Sequence, residues 1–438
     1  MRQHCLDTGR DGPAADLAWL ATVLSVIGLI VTLGGSSLGA LLFLLAWGLV
    51  VAPHASLCMR LVFRSAGIWV VPAVALLSVV WSQAPQVTLR AAVQLLLTVG
   101  IASLAAGFLR PRAFVSAMSV SLLFGALLSL AFGRYGVDGM TGATVFLGIF
   151  AGKNTMALFM SLLAIFSAAV LMDRGQGRPF RLLAVVSFLL SIPLLLMARS
   201  AGALLTTIAS LGVLVLTAIF ARLRSRERLL LGASLGVLAA PAVVVVLVLA
   251  MNGTLGEAMT GFVTEVLGKD ATLTGRTVLW RTAWAEIDKR PLLGTGYYAF
   301  WLQGDPLVES IWRDFGIGSR MGFHFHNTVL EFAVEVGWLG VAALLLTIAF
   351  AVQRMLRLAM ADRTPATAAL VAALFCLVAR TFGEVDAPYP FAIGTFLLFV
   401  IAAYGADYAR VARSGATRSR EPLLSWRAPV QRQPRACL

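Results

Sequence analysis

Long apolar runs alternate with short polar connections along almost the whole chain. A hydrocarbon layer roughly 30 Å thick needs a helix of about 20 apolar residues to cross it. Twelve runs of that kind can be placed, at residues 17–33, 36–52, 66–82, 91–108, 113–132, 154–172, 182–198, 200–220, 229–250, 326–350, 366–383 and 390–406. Strand-like alternation with a period of two is missing, which argues against a β-barrel. Arg2, Asp7, Arg10, Asp11 and Asp16 surround the start of the first run and a second follows almost at once, so the first reads as an uncleaved helix, not a signal peptide. The pattern predicts an all-α fold, a polytopic membrane helix bundle of about twelve transmembrane helices with one large loop. Residues 1–16 form the N-terminus, 17–250 carry spans one to nine, 251–325 make the loop, 326–406 carry spans ten to twelve, and 407–438 form a tail. The tail is rich in Arg, Pro and Ser, a composition that predicts disorder.

Composition sharpens this picture. Of 438 residues, 59% are hydrophobic and 13% charged, against roughly a quarter charged in a soluble domain. A water-soluble surface cannot be built from so little polarity, so the exterior meets lipid. The net charge of +14 could point to nucleic acid, but its distribution says otherwise. Arg60/Arg64, Arg110/Arg112, Arg174/Arg178/Arg181, Arg222/Arg224/Arg226/Arg228, Arg354/Arg357/Arg363 and the tail all fall on one side of a twelve-span bundle, together with the N-terminus. Positive-inside logic assigns that side, and both termini, to the cytoplasm, with anionic lipid headgroups and not nucleic acid as partners. Cys5, Cys58 and Cys437 then lie on the cytoplasmic side and Cys376 within a helix, so neither a disulfide nor a cysteine metal site is expected.

The opposite, outer side carries the chemistry. The 251–325 loop is too long and too varied to be a passive connection. It contains a predicted helix from Thr274, a candidate N-cap, to Arg290, stopped by Pro291, with Arg276, Trp280 and Trp284 along one face suited to the headgroup interface. Arg90 precedes span four, Lys153 and Asn154 open span six, Arg199 occupies the turn between spans seven and eight, and Arg380 lies near the end of span eleven. With Arg276 and Arg281 of the loop, these cations gather at one membrane face. Each could snorkel to water or pair with an acid such as Glu384 or Asp386. As a set they suit a polyanionic ligand, because guanidinium groups bind phosphate bidentately.

His4 and His54 fall on the cytoplasmic side, whereas His324 and His326 stand where the loop enters span ten, followed by Asn327, Glu331 and Glu335 at i, i+4 and i+8. The carboxylates could serve the helix dipole and either histidine could be structural. A histidine beside carboxylates at a wet membrane rim is equally what a general base requires. No tetrahedral set of metal ligands is visible.

At these residues the sequence resembles the O-antigen ligase and polysaccharide polymerase superfamily, especially exopolysaccharide polymerases of the Wzy type. The similar pieces are Trp81-Ser-Gln-Ala-Pro-Gln-Val-Thr-Leu-Arg90, Gly152-Lys-Asn154, Ala198-Arg-Ser-Ala-Gly202, Thr274-Gly-Arg276 with Trp280, Arg290-Pro-Leu-Leu-Gly-Thr-Gly296, and His324-Phe-His-Asn327 running into Glu335-Val-Gly337. The resemblance implies a GT-C-like, metal-independent glycosyltransferase of the bacterial inner membrane, with no cofactor. Its donor would be a glycan on undecaprenyl pyrophosphate, its acceptor a glycan or a lipid-linked glycan, and other polysaccharide assembly proteins its further partners. His326 or His324 would be the base for the acceptor hydroxyl, with Glu331 and Glu335 beside them as catalytic carboxylates. Arg199 and Arg276 would bind the pyrophosphate, supported by Arg90, Lys153, Arg380 and Arg281. A polymerase and a ligase differ only in acceptor. A transporter would instead place ionisable groups at mid-helix along a path through the bilayer.

Overall fold

The computed structural model describes residues 12–32, 37–64, 66–137, 144–234, 275–320 and 322–418. Its helices are α1 (Pro13–Thr32), α2 (Ser37–Val51), α3 (Ala55–Val62), α4 (Val70–Leu77), α5 (Pro85–Phe108), α6 (Pro111–Phe132), α7 (Lys153–Met172), α8 (Arg178–Met197), α9 (Ala201–Arg222), α10 (Arg276–Lys289), α11 (Pro306–Asp314), α12 (Thr328–Asp362), α13 (Pro365–Arg380) and α14 (Ile393–Arg418). Among the described residues, eight segments are long and apolar enough to cross a membrane, and shorter apolar helices occupy Ala66–Val80, Pro365–Arg380 and Ile393–Tyr408. The protein is a multi-pass membrane helix bundle. These segments coincide with spans one to eight and ten to twelve; of span nine only the start is described, within a helical stretch at 225–234. Residues 1–11, the segment 235–274 with the expected cap Thr274, and the tail from 419 onward lie outside the described residues.

The side-chain pattern is that of a bundle solvated by lipid. On α8, Leu182, Leu189 and Leu196 are 69%, 61% and 54% exposed, while Ala184, Ser187 and Ser191 face inward. Large apolar residues outside and small ones inside are what close helix packing in hydrocarbon favours. Buried hydroxyls satisfy themselves locally, as where Ser103 donates to the Val99 carbonyl, Ser121 to Ala117 and Ser167 to Leu163. Across helices, Ser161 of α7 and Thr207 of α9 share a hydrogen bond of 2.6 Å. The most enclosed stretches are α7, α13 and the first half of α14, residues 393–407, which form the centre of the bundle.

Three elements differ from the sequence reading. Residues 55–62, read as part of a connection, are helical: after a 3-10 turn at Ala52–His54 containing Pro53, the apolar, helix-forming residues of α3 continue span two with Cys58 buried. Between α6 and α7 lies an antiparallel hairpin of β1 (Arg134–Val137) and β2 (Thr144–Gly148), where only a short connection was expected. Its β-branched and aromatic residues, Tyr135, Val137, Val145 and Phe146, suit strands, but the strands are too short to announce themselves in an apolar sequence. Finally, α14 runs on to Arg418, beyond the predicted end of span twelve at 406.

The two ends of the bundle are built differently. At one end the arginine-bearing connections are tied down: Arg64 pairs with Asp407 at 3.0 Å, Arg112 with Asp173 at 2.6 Å, and the Tyr404 hydroxyl donates to the Leu109 carbonyl. At the other end the connections after α4, α6, α8 and α13 meet α10, α11 and the start of α12, and a cavity opens there.

Candidate active site

The scaffold of this end is a lock between three segments. Helix α12 is broken inside its apolar run at Gly337, whose φ of 66° and ψ of −175° interrupt the helical ladder. Pro291–Gly296 fills the break. The Trp338 N–H donates to the Pro291 carbonyl at 2.8 Å, Thr295 N–H to Val334 at 2.9 Å and Gly296 N–H to Glu335 at 2.7 Å. A Cβ on Gly337 would lie 2.1 Å from the Leu292 oxygen, so both the conformation and the close approach demand glycine there. The Trp81-Ser-Gln segment closes the other side, Trp81 Nε1 donating to Leu293 and Gln83 N–H to Thr295. Gly296, at φ 106°, makes room for Ser82. Three separate stretches of the sequence pattern are therefore one mechanical joint.

That joint presents the histidine segment. Asn327 caps α12, its side chain accepting from Val329 and Leu330 N–H at 3.0 and 3.1 Å. Thr328 lashes the helix start to the segment after α13, donating from its N–H to Thr381 and from its hydroxyl to the Glu384 carbonyl. Glu331, one turn on, accepts from Trp301 Nε1 and from the Phe325 N–H, both at 2.6 Å. Trp280 of α10 donates to the Phe325 carbonyl at 2.9 Å. The peptide between the two histidines is thus gripped from both sides, with His326 at φ 52° in the left-handed region.

His324 and His326 face a cavity of about 530 Å³, walled by the hairpin, the starts of α7 and α9, α10, the Phe315–Phe323 segment and the end of α13. Its hub is Glu384. Oε1 accepts from Arg276 Nη2 and from Asn154 Nδ2, each at 2.6 Å, and Oε2 lies 3.5 Å from His326 Nδ1. Ser200 donates to Asn154 Oδ1 at 3.0 Å, and Arg380 reaches the Asn154 carbonyl while pairing with Asp386 at 2.6 Å. Burial alone would raise the Glu384 pKa, but His326, Arg380 and Arg276 outweigh it and hold the carboxyl down at about 2. His324 is different. Burial, and then the neighbouring His326, push it down to about 3, and its Nδ1 accepts the His326 N–H at 3.1 Å. A neutral ring that accepts at Nδ1 carries its proton on Nε2.

Of the residues singled out in the sequence, the structure brings His324, His326, Lys153, Arg276 and Arg380 to the cavity. Glu331 and Glu335, expected beside the histidines as catalytic groups, do not line it. They are 2% and 1% exposed, Glu331 gripping the histidine segment and Glu335 buried beside Tyr298 and Tyr389. Arg90, Arg199 and Arg281 are exposed and also lie off the cavity wall. Arg199 sits at φ 49° in its turn, where its neighbour Ser200, not Arg199 itself, contributes to the wall. On α10, Trp284 is exposed against Trp338, whereas Trp280 is spent on Phe325. Glu384 was named in the sequence only as a possible ion-pair partner; it is the centre of the network.

His324, His326 and Glu384 each offer a ligand atom within 4.8 Å of the others. The donor set suits a metal poorly. His324 has one nitrogen committed to a backbone N–H and its proton on the other, and Arg276 already supplies positive charge to Glu384.

Residues 184–345 match the family model described as O-antigen ligase, a stretch running from α8 into α12 and containing Arg276 and both cavity histidines. The exopolysaccharide production protein ExoQ of Rhizobium meliloti (strain 1021) is 35% identical over 329 residues, covering 75% of this chain and 74% of that protein. The chain belongs to the O-antigen ligase and ExoQ-like family. Members of this family are of the O-antigen ligase and polysaccharide polymerase type. The cavity unites residues inside the family-model match with Lys153, Asn154, Arg380 and Glu384 outside it.

Proposed function

We propose that this protein is an inverting, metal-independent glycosyltransferase that polymerises a surface polysaccharide from undecaprenyl-pyrophosphate-linked repeat units on the outer face of the bacterial cytoplasmic membrane. The observation that carries this reading is His326 backed by Glu384 in a cavity with Arg276, Lys153 and Arg380. His326 accepts the acceptor proton on Nε2, because Nδ1 faces Glu384, which orients the ring and stabilises the imidazolium that forms. His324 is the poorer base, since its proton sits on Nε2 and its ring is held neutral. The acceptor oxygen attacks the anomeric carbon as the bond to pyrophosphate breaks. The lipid pyrophosphate departs with the electron pair towards Arg276, Lys153 and Arg380, which stabilise the charge gathering on it. The outer-face assignment rests on the arginine-bearing connections lying at the opposite end of the bundle.

The family model is described as O-antigen ligase, which favours a second reading in which finished glycan is moved to another acceptor. One experiment separates the two. In cells carrying His326→Ala at normal protein level, a polymerase leaves single repeat units in place of long chains, whereas a ligase leaves long glycan on the carrier lipid. Unchanged surface and carrier-linked glycan would remove both.

A further inference from the structure

The cavity has two poles, with His326 between them. Towards one run Glu384, Arg276 and Asn154, the polar and cationic side. Towards the other the chain after α11 lays Phe315 and Phe323 on the wall, their ring centroids 5.5 Å apart at 44°. Phe323 meets the His326 ring at 5.9 Å. Both phenylalanines are half-buried and line the cavity where a core residue would be sealed away. Their segment is held in place from three sides. Ile317 N–H donates to the Trp312 carbonyl at 2.7 Å, Arg320 pairs with Glu309 at 3.3 Å, and the Trp301 ring packs edge-on to Phe323 at 5.4 Å.

Aromatic faces fixed beside a base have a specific chemical use. One face of a pyranose is a patch of C–H bonds with partial positive charge, which packs on the negative face of an aromatic ring. A phosphate gains nothing there. We infer that Phe323, supported by Phe315, is the platform on which the acceptor sugar lies, presenting its hydroxyl to His326. The inference deepens the glycosyl-transfer reading and rests on it. In an inverting transfer the acceptor and the leaving group lie on opposite sides of the anomeric carbon. The sequence of contacts Phe323, His326, Glu384, Arg276 sets an aromatic pole for the acceptor and a cationic pole for the pyrophosphate in that order.

The test uses membranes containing the full chain and lipid-linked repeat units extracted from cells lacking it. The varied acceptor is the repeat-unit oligosaccharide released from its carrier by mild acid. Phe323→Ala should raise the acceptor KM about tenfold, the loss expected for one aromatic contact, with kcat near wild type. Phe323→Tyr and Phe323→Trp should restore it, and Phe315→Ala should give a smaller rise. An unchanged acceptor KM in Phe323→Ala while His326→Ala is inactive would overturn the platform alone. A fall in kcat without a change in KM would also overturn it, making Phe323 a support for His326. An active His326→Ala would remove the underlying reading instead.

Discussion

Glu384, half-buried on the cavity wall, and Glu331, fully buried behind it, are acids of the same end of the bundle, yet their oxygens face opposite ways. Glu384 sits after the end of α13 and spends both oxygens on groups that face the cavity: two cationic or amide donors on Oε1 and a histidine on Oε2. Glu331 sits on α12 and spends both on the loop behind it, Trp301 and the Phe325 N–H. In the proposed reaction one carboxylate tunes the chemistry and the other builds the wall that holds it. A carboxylate's role follows from what its oxygens face, and sequence spacing does not report that.

The sharpest way to break this contrast is at Glu384. Glu384→Gln keeps the shape but removes the charge that backs His326 and pairs Arg276, so transfer should fall by about 10²-fold or more, the range lost when a positioned base is disabled. Chain elongation in membranes at matched protein level measures it. Activity within a few-fold of wild type would make the Glu384 network structural. The charge itself is robust to pH. A carboxyl held at about 2 instead of near 4.5 contributes stability that is complete above pH 4.5 and lost only as pH falls towards 2. Glu384→Gln should therefore lower the activity plateau without removing or creating a carboxylate step between pH 5 and 8.

The same contrast explains what could be read in the sequence. The spans were legible because hydrocarbon thickness imposes a run length that no soluble fold shares. The exceptions are segments without a sharp boundary signal: α3, where an apolar helix resumes after Pro53, and the hairpin, whose strands hold four and five residues. The histidines and Arg276 were legible because charged or titratable residues are rare at a membrane rim. Glu384 was not, since its importance comes from Asn154, 230 positions away in the chain. Glu331 and Glu335 were over-read, because their spacing places both on one helical face without saying that the face turns away from the cavity. Arg199 is exposed in a left-handed turn beside the cavity, where its neighbour Ser200 contributes to the wall.

Glu331 sharpens the comparison from its other side. In Glu331→Gln only one side-chain atom can accept, so either Trp301 Nε1 or the Phe325 N–H is left facing an amide group. Leaving one buried donor unsatisfied costs about 1–3 kcal/mol. The expected result is a lower Tm in detergent and a partial loss of activity through a loosened His326, with the shape of the pH profile unchanged. If the variant instead loses activity as completely as Glu384→Gln at wild-type Tm, Glu331 takes part in the chemistry and the division between the two acids is wrong.

The smallest expected effect belongs to His324. Its pKa is about 3 in the folded protein, against 6.5 for the free side chain, so between those values the unfolded chain binds a proton that the folded chain refuses. Its contribution to stability is therefore unfavourable in acid and fades as pH rises through 6.5. Replacing it by Asn, which keeps an acceptor for the His326 N–H, should remove that penalty. Between pH 7.5 and 5 the variant should lose less Tm than wild type, by an amount equivalent to about 2 kcal/mol, while its neutral-pH activity stays well above that of His326→Ala. An acid response identical to wild type would mean that His324 takes up a proton as readily in the folded protein as in the unfolded chain. The argument that His324 is the poorer base because its ring is held neutral would then fall, leaving the choice of His326 to rest on Glu384 alone.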